Sequence, residues 1–386
     1  MAVQAFPIQS DPTLLADIRR YGKFDTTGCY QCGSCTLSCD LVENSTSFPR
    51  RSLRYALLGL RQPLVASLEP WVCHDCGDCS LACPRQAEPR ISMITLRRFL
   101  SAQYEWTGMG SRLLQSRAWY LGSLIAVALL TVGLIAGYHV WYVGMATRDF
   151  TTTALGLEHM FPRMTYYTLA VVLLPLLLLL SRVIHIWRLT MRGEGIGWSN
   201  YARQVWVYVY ELFVQPLLRK CPENRRWFGH EVLAAGTIVM LAIKVFGLRW
   251  FQTDKIYPLY NPQRWLGYLA AACILYGIGD IVYGRWQAKK EIYKETHFHD
   301  LVFPVLIVLT ALTGLAAHTL RYLGFELGCH YAYALHVIVA TPMLVIEMSF
   351  GKWSHMVYRP LALYFLAVKN RAVRQAPAGE AVPNAI

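Results

Sequence analysis

Two runs of cysteine near the N-terminus are the residues of this chain best suited to carry out chemistry. Each run has the spacing C-x2-C-x2-C-x3-C; the runs begin 44 residues apart, at Cys29 and Cys73, and Pro84 follows the second. Cysteine thiolates at this spacing hold two [4Fe–4S] clusters, with the fourth cysteine of each run binding the other cluster. The sequence therefore predicts two clusters with these ligands: Cys29, Cys32, Cys35 and Cys83 for the first, and Cys73, Cys76, Cys79 and Cys39 for the second.

A zinc site is the alternative interpretation of the same residues, because CxxC pairs also bind zinc. A zinc ion takes four ligands and has no use for a third C-x2-C step repeated in both runs, so we favour iron–sulfur clusters. The first run departs slightly from the usual pattern, since Asp40 stands where a proline often follows. The polar N-terminus lacks the features of a secretory signal, which predicts a reducing compartment rather than disulfides.

The second half of the chain has the composition of a membrane domain. The chain is 55% apolar and only 16% charged, which is far from the profile of a soluble globular protein. Charge-poor stretches begin after residue 117, and each approaches or exceeds the length of about 20 residues that spans a hydrocarbon core. We predict six transmembrane helices near residues 118–143, 165–188, 230–250, 265–286, 301–323 and 331–356.

Basic residues are concentrated in alternate connections between these predicted helices. The connections after the second and fourth helices and the C-terminal tail are rich in Lys and Arg, whereas the other connections contain few. The positive-inside rule then places the cysteine domain and the C-terminus in the cytoplasm, on a multi-pass protein of the cytoplasmic membrane. The net charge of +13 is therefore largely a matter of topology, and it does not predict nucleic-acid binding.

Histidines within the predicted membrane helices form the second set of candidate residues. An imidazole is expensive to desolvate in a membrane, so we expect these side chains to be functional, although any one of them could instead be a hydrogen-bonded packing residue. Axial ligation of a b-type haem needs two histidines at one depth on facing helices. The candidates are His230, His299 and His355 at the cytoplasmic level and His318 and His336 at the outer level.

The sixth predicted helix offers a histidine at each level. His336 and His355 are 19 residues apart, which corresponds to about 28 Å along a helix. Lys244 lies on the third predicted helix, about 21 Å from the level of His230. We hypothesise that Lys244 helps to bind a quinone head group; the alternatives are a lysine that extends to the outer interface or one that pairs with Glu347.

Several short motifs resemble known families. Phe48-Pro49-Arg50-Arg51 and Trp71-Val72-Cys73-His74-Asp75-Cys76 resemble the iron–sulfur C subunit of heterodisulfide reductases. Trp227-Phe228-Gly229-His230, Leu312-Thr313-Gly314 with His318-Thr319-Leu320-Arg321, and His336 to His355 around Pro342 resemble the cytochrome b of the heterodisulfide reductase E and nitrate reductase gamma type.

The cytochrome resemblance implies specific haem ligands. It pairs His230 with His355 for the cytoplasmic-side haem, with His299 as the second choice of partner for His355. Where the gamma-type cytochrome has a further histidine on helix three, this chain has Met240, which leaves His318 and His336 as the pair for an outer haem. Two haems are expected, and one is the alternative.

The fusion of a cluster domain to such a cytochrome is similar to the membrane subunits of quinone-interacting membrane-bound oxidoreductase complexes of sulfate-reducing prokaryotes. This resemblance covers roughly residues 20–360. It implies menaquinone as the membrane substrate, heterodisulfide reductase A-like flavin and iron–sulfur subunits as partners, and adenylylsulfate reductase as the downstream acceptor. Two alternatives stay open: a subunit of a heterodisulfide reductase or sulfite-reduction complex, and a passive membrane anchor without a quinone site.

The predicted fold is mainly α, with an N-terminal ferredoxin-type two-cluster domain followed by a six-helix transmembrane cytochrome b bundle. The predicted domains are residues 1–100 for the clusters, 101–117 for a basic juxtamembrane linker, 118–358 for the haem b domain and 359–386 for a partly disordered cytoplasmic tail. The basic amphipathic segment at residues 85–117 either lies on anionic lipid or packs on the cluster domain.

Overall fold

A computed structural model of the chain describes residues 9–26, 28–41, 47–138, 164–219, 224–247 and 256–375. Within these residues the chain is helical and forms no β-strand, which confirms the mainly α prediction. Short helices surround the cysteines, and a group of long helices follows them. The two groups are the two parts of the molecule that matter for function.

The N-terminal group is built on one central helix. The helices are α1 (Leu14–Arg19), α2 (Ser34–Leu37), α3 (Arg50–Leu57), α4 (Arg61–Ala66), α5 (Asp78–Leu81) and α6 (Pro89–Gln103). Helix α6 begins with a proline in its first turn, where the missing N–H has no partner to lose. Its apolar residues recur at helical spacing, and Met93, Leu96, Phe99 and Leu100 are fully buried. Residues 89–103 of the basic segment therefore pack within the cluster domain, as the second of the two alternatives predicted for them.

The second group contains six helices that are long and apolar enough to cross a membrane, which confirms the predicted number. The short helix α7 (Met109–Gln115) leads into them. The six are α8 (Arg117–Tyr138), α9 (Met164–Thr190), α12 (Asn224–Phe246), α13 (Pro262–Gln287), α15 (His299–Tyr322) and α16 (Leu327–Phe350). Between them lie α10 (Trp198–Phe213), α11 (Pro216–Arg219) and α14 (Glu291–Lys294), and α17 (His355–Gln375) follows the last. Residues 139–143 and 248–250, which the sequence assigns to the first and third membrane helices, lie outside the described residues.

The sixth membrane helix is not regular, and it ends earlier than predicted. After Pro342 it continues through a π-helical turn, Met343–Glu347, and it ends at Phe350. Gly351 has an extended backbone, with φ of −93° and ψ of −158°, and one 3-10 turn follows before His355 begins α17. The prediction that one helix carries both His336 and His355 is therefore wrong, because the extended residue at Gly351 separates them.

Helix α17 joins the two groups of helices. Tyr358 packs against the rings of Trp71 and Tyr104, with centroid separations of 5.6 and 6.0 Å. Its hydroxyl also accepts a hydrogen bond of 3.2 Å from the buried Arg182 of α9. Residues that the sequence assigned to a cytoplasmic tail thus form an ordered helix as far as Gln375, and the remainder of the predicted tail lies outside the described residues.

Ion pairs hold the cluster domain on the membrane helices. Asp300, at the start of α15, accepts from Arg98 of α6 at 2.9 Å and from Lys352 at 2.7 Å. Arg90, also on α6, donates to the backbone carbonyl of Ile292 at 3.0 Å. The contacts of Arg98 and Arg90 are partly buried, and they connect α6 of the cluster domain to α15 and α14.

Candidate functional site

The two cysteine runs have the same backbone conformation. In each run the residue before the second cysteine and the glycine after it have positive φ: 56° at Gln31 and 90° at Gly33, and 62° at Asp75 and 103° at Gly77. Glycine adopts this conformation without steric cost, whereas a side chain would be strained. Successive left-handed residues turn backbone N–H groups inward and wind the chain around an anionic group. The repeated C-x2-C step therefore forms two equivalent loops.

The first loop surrounds an open space of about 400 Å³, including its opening to solvent. Its walls include the sulfur-bearing residues Cys29, Cys32, Cys35 and Cys83, which are the four residues predicted to share one cluster. Gln31 donates from its amide nitrogen to the Cys29 sulfur at 3.3 Å. The backbone N–H of Ala87 donates to the sulfur of Cys83 at 3.4 Å, and such bonds to sulfur stabilise a thiolate ligand.

The second loop is more deeply buried than the first. Cys73 and Cys79 are buried, whereas Cys32 of the first loop is exposed. Burial raises the pKa of Cys39 to about 11 and that of Cys76 to about 12. The hydroxyl of Ser34, by contrast, lies 3.4 Å from the Cys32 sulfur and lowers the pKa of that thiol. Burial thus disfavours the thiolate form most strongly in the second set, while Cys32 of the first set faces solvent.

The cavity of the first loop has the four-thiol composition that a [4Fe–4S] cluster requires. Among the described residues no group of three or more His, Cys, Asp or Glu side chains lies close enough together to hold a single metal ion.

Arginines tie the second loop to the membrane helices. The guanidinium of Arg359, on α17, lies 2.6 Å from His74 Nδ1, and His74 directly follows Cys73. Arg97 donates to the carbonyl oxygen of Cys73 itself. Arg226, in the first turn of α12, donates to the carbonyl oxygen of Asp75 at 3.5 Å. The second cluster loop is thus the one that faces the membrane domain.

Two histidines face each other across a cavity next to this loop. The rings of His230 on α12 and His355 on α17 have centroids 6.2 Å apart and planes inclined by 67°. The open space around the rings, including its opening to solvent, measures about 640 Å³. Apolar side chains form most of its wall: Leu233, Ala234, Phe303, Trp353, Met356 and Pro360. Besides the two histidines, its polar residues are Glu211, Gln215, Thr237 and Arg359.

The polar contacts of this pair leave ring nitrogens free for a ligand. His355 Nδ1 lies within hydrogen-bonding distance of the backbone carbonyl of Lys352, and such a bond leaves the Nε2 lone pair available. His230 Nδ1 is buried and has no hydrogen-bond partner among the described residues. Burial and the cations Lys352 and Arg359 lower the pKa of His355 to about 4, so its imidazole is neutral at pH 7, as a metal ligand must be.

His299, the second choice of partner for His355, does not belong to this cavity. Its Nε2 lies 2.9 Å from the carbonyl oxygen of Leu113, and its Nδ1 lies 3.1 Å from the ring of His297. Both ring nitrogens therefore have partners, and the ring packs against Tyr120 at 4.6 Å between centroids. The contacts of His299 are those of a buried structural residue.

The outer histidines, His318 and His336, have different neighbours. His318 packs between Tyr268 and Tyr322, with centroid separations of 5.2 and 4.7 Å. His336 Nδ1 lies 3.0 Å from the carbonyl oxygen of Thr310, on the helix that also carries His318. Neither set of contacts includes the other histidine. The structure therefore does not join this pair as it joins His230 and His355.

Lys244 is half-buried on the third membrane helix. It lies within electrostatic range of His336, and no ion pair or hydrogen bond involves it within the described part of the chain. The suggested pairing with Glu347 is not found, because the Glu347 carboxylate accepts from the hydroxyl of Tyr120. The outer half of the bundle thus contains an unpaired amine near an imidazole.

Arg359 lines the histidine cavity and contacts the second cluster loop, although the sequence did not single it out as a site residue. It lies four residues after His355, so both side chains share one face of α17, and it contacts His74 beside the second cluster loop. Burial lowers the pKa of Arg359 to about 10, which leaves it protonated at pH 7. The spacing of four residues is present in the sequence. It did not suggest a shared helix face, because the predicted sixth membrane helix ended at residue 356, between His355 and Arg359.

Comparisons with known proteins support the predicted iron–sulfur domain near the N-terminus. Residues 28–88 match the model of the 4Fe-4S dicluster domain family. A protein of Archaeoglobus profundus, named as being like the C subunit of heterodisulfide reductase, is 36% identical over 77 residues, which is 20% of this chain and 41% of that protein. No solved structure matches the chain. The chain thus contains an iron–sulfur electron-transfer domain joined to a multi-pass membrane domain, and it spans less than half the length of the curated relative it matches.

Proposed function

We propose that this protein is a membrane electron-transfer subunit that exchanges electrons between menaquinone and soluble partners. The route leads from the outer half of the helix bundle, through a b haem between His230 and His355, to the two iron–sulfur clusters. The observation that supports it best is the pair of imidazoles separated by 6.2 Å across an apolar cavity.

The separation of these rings fits a shared haem iron. A metal–imidazole bond is about 2.0 Å long and a ring centre lies about 1.2 Å beyond its nitrogen, so two imidazoles that held one metal ion between them would have centroids about 6.4 Å apart. The observed value is 6.2 Å. When bound, the haem would supply one-electron chemistry. The apolar wall would keep water away from it, and Arg359 would place a positive charge beside it.

The order of the sites supports a single route between membrane and solvent. His355 and Arg359 share a helix face, Arg359 contacts His74, and His74 adjoins Cys73. The second cluster loop is therefore adjacent to the histidine cavity. The first loop is on the exposed side, where the Cys32 thiol and Tyr30, which is 70% exposed, are accessible to a soluble partner.

Quinone binding is proposed for the outer half of the bundle. Lys244 can donate a hydrogen bond to a quinone carbonyl, and His336 beside it can take or supply a proton. The second haem, with His318 and His336 as ligands, stays a prediction from the sequence, because no comparable arrangement of rings favours it. One haem is what the geometry supports.

We infer the partners from resemblance. The matched relative is named for the C subunit of heterodisulfide reductase, and the soluble partners we propose are heterodisulfide reductase A-like flavin and iron–sulfur subunits that serve adenylylsulfate reductase. A role in a heterodisulfide reductase or sulfite-reduction complex is the alternative that differs only in the partner. A cytoplasmic location of the cluster domain belongs to the same proposal.

The test is anaerobic purification followed by addition of a menaquinol analogue. Haem absorption and the EPR signals of the clusters are recorded in the same sample. The proposal expects haem reduction first and cluster reduction after it. Clusters and haem that both stay oxidised, also in the assembled complex, would leave a passive membrane anchor as the better description.

A further inference from the structure

Helix α10 has its polarity reversed relative to a helix on the surface of a soluble domain. Its inward face carries polar residues: Asn200 and Glu211 are only 9% and 7% exposed. Its outward face is apolar and aromatic, with Trp198 and Trp206 exposed by 77% and 66%. The large apolar residues of this outward face are Trp198, Val205, Trp206, Val209, Tyr210 and Phe213.

Water is an unfavourable environment for this outward face. Burial of large apolar side chains is favourable, and the helix leaves six of them uncovered by the rest of the described chain. A contiguous exposed patch of this kind marks a contact with a membrane or another protein. The choice between the two follows from where the helix lies.

Both ends of α10 are attached to membrane helices at the side that carries the cluster domain. Near its start, the indole N–H of Trp187 in the last turn of α9 donates to the hydroxyl of Tyr201 at 3.3 Å. Just after its end, the indole N–H of Trp227 in the first turn of α12 donates to the carbonyl oxygen of Val214 at 3.0 Å. Trp residues at the ends of membrane helices lie at the headgroup level. The helix is therefore held at that level at both ends.

The charges around α10 match the same location. Cationic side chains flank the helix and continue from the end of α9 to the start of α12: Arg188, Arg192, Arg203 and Arg219. Arg219 also lies over the ring of Trp227, at 5.2 Å from its centroid. Basic residues beside an aromatic and apolar helix face attract anionic lipid headgroups.

We propose that α10 is an interfacial helix that lies in the lipid headgroup region on the cluster-domain side of the membrane, with Trp206 and its apolar neighbours directed into the acyl chains. Glu211 and Leu212 on its inward face line the histidine cavity. The lipid is thus the outer support of one wall of that cavity. This inference depends on the membrane helices and not on the proposed electron-transfer route.

The test uses the full-length protein, with its clusters, in nanodiscs of phosphatidylethanolamine and phosphatidylglycerol. The photoreactive residue benzoylphenylalanine replaces Trp206 or Val209 in turn, and adducts are identified by mass spectrometry. Leu129, which is 64% exposed on α8, provides the lipid-facing control, and the exposed Arg54 on α3 of the cluster domain provides the aqueous control. The proposal expects lipid adducts at positions 206, 209 and 129 and none at position 54.

Two results would overturn it: absence of lipid adducts at both positions of α10, or adducts to a protein subunit there in nanodiscs of the assembled complex. A second measurement covers the case in which these variants fold poorly. The tryptophan fluorescence of the unmodified protein minus that of Trp206→Phe gives the Trp206 contribution. That contribution should be lost in nanodiscs of dibrominated phosphatidylcholine and present in unbrominated lipid; equal values in the two lipids would contradict the proposal.

Discussion

The half of the membrane domain next to the cluster domain (the inner half) and the half farther from it (the outer half) arrange their histidines differently. In the inner half, the rings of His230 and His355 face each other and line one cavity, and His230 Nδ1 has no hydrogen-bond partner among the described residues. In the outer half, His336 bonds to the backbone of the neighbouring helix and His318 packs between tyrosines, although its Nε2 is also buried without a hydrogen-bond partner among the described residues. A free ring nitrogen is therefore found in both halves, and only the facing of two rings across one cavity distinguishes the inner pair.

The difference has a structural cause. The inner pair comes from two helices that meet because Gly351 ends the sixth membrane helix and lets α17 begin with His355. The outer pair comes from the closely packed helices α15 and α16, where a Cβ on Gly314 would lie only 3.1 Å from the His336 ring. The His336 ring thus lies directly against the backbone of α15.

The replacement His230→Ala has the largest expected effect. It removes one of two facing ligands, so we expect complete loss of the low-spin haem spectrum while cluster absorption persists. His299→Gln is the matched control, because His299 is buried at the same level but has partners on both ring nitrogens. Haem loss in the control together with haem retention in His230→Ala would reverse the assignment of the ligands.

Lys244→Ala tests the outer half as a quinone site. A hydrogen bond from a charged donor contributes roughly 1.5–3 kcal/mol, so we expect KM for a menaquinol analogue to rise about tenfold or more. Haem content should not change. The exposed Lys289→Ala serves as the control for loss of one positive charge. Unaltered kinetics in Lys244→Ala would remove this residue from the proposal.

Arg359→Gln tests the electrostatics of the inner cavity. Removal of a buried cation stabilises the oxidised haem, so we expect its midpoint potential to fall by about 60 mV, which corresponds to a tenfold change for a one-electron couple. Loss of the contact with His74 should also slow electron transfer from haem to clusters. Redox titration and rapid-mixing spectroscopy measure the two effects. Arg112→Gln, an exposed arginine of α7, should change neither.

The smallest expected effect is that of replacing the outer histidines. From their separate contacts we expect His318→Ala and His336→Ala to retain one haem per chain, measured as the pyridine haemochrome against protein. A ratio of two in the unmodified protein that falls to one in these variants would favour the two haems expected from the sequence. It would also show that the outer rings rearrange on binding.

Local sequence patterns were sufficient to predict the cluster loops and the number of membrane helices. The repeated C-x2-C step is the spacing at which cysteines wrap a loop around a cluster. Long apolar stretches in lipid must form their backbone hydrogen bonds internally, and a helix does so. The pairing of His230 with His355 was inferred only from a resemblance. The helix boundary at Gly351 was missed, because residues 331–356 contain little charge and no local signal outweighed their helical pattern.

The sequence by itself determined the cofactor-binding loops, the six membrane helices and the identity of the candidate ligands, since these depend on residues close together in the chain. Only the tertiary structure decided which histidines share a cavity, that Arg359 reaches the second cluster loop, and that α10 directs its apolar face outward. Each of these depends on helices distant in sequence meeting at a particular rotation. Shifting the end of a helix by one residue rotates each following side chain by about 100° around the helix axis. Such a shift would change the shared cavity, the Arg359 contact and the direction of the apolar face of α10.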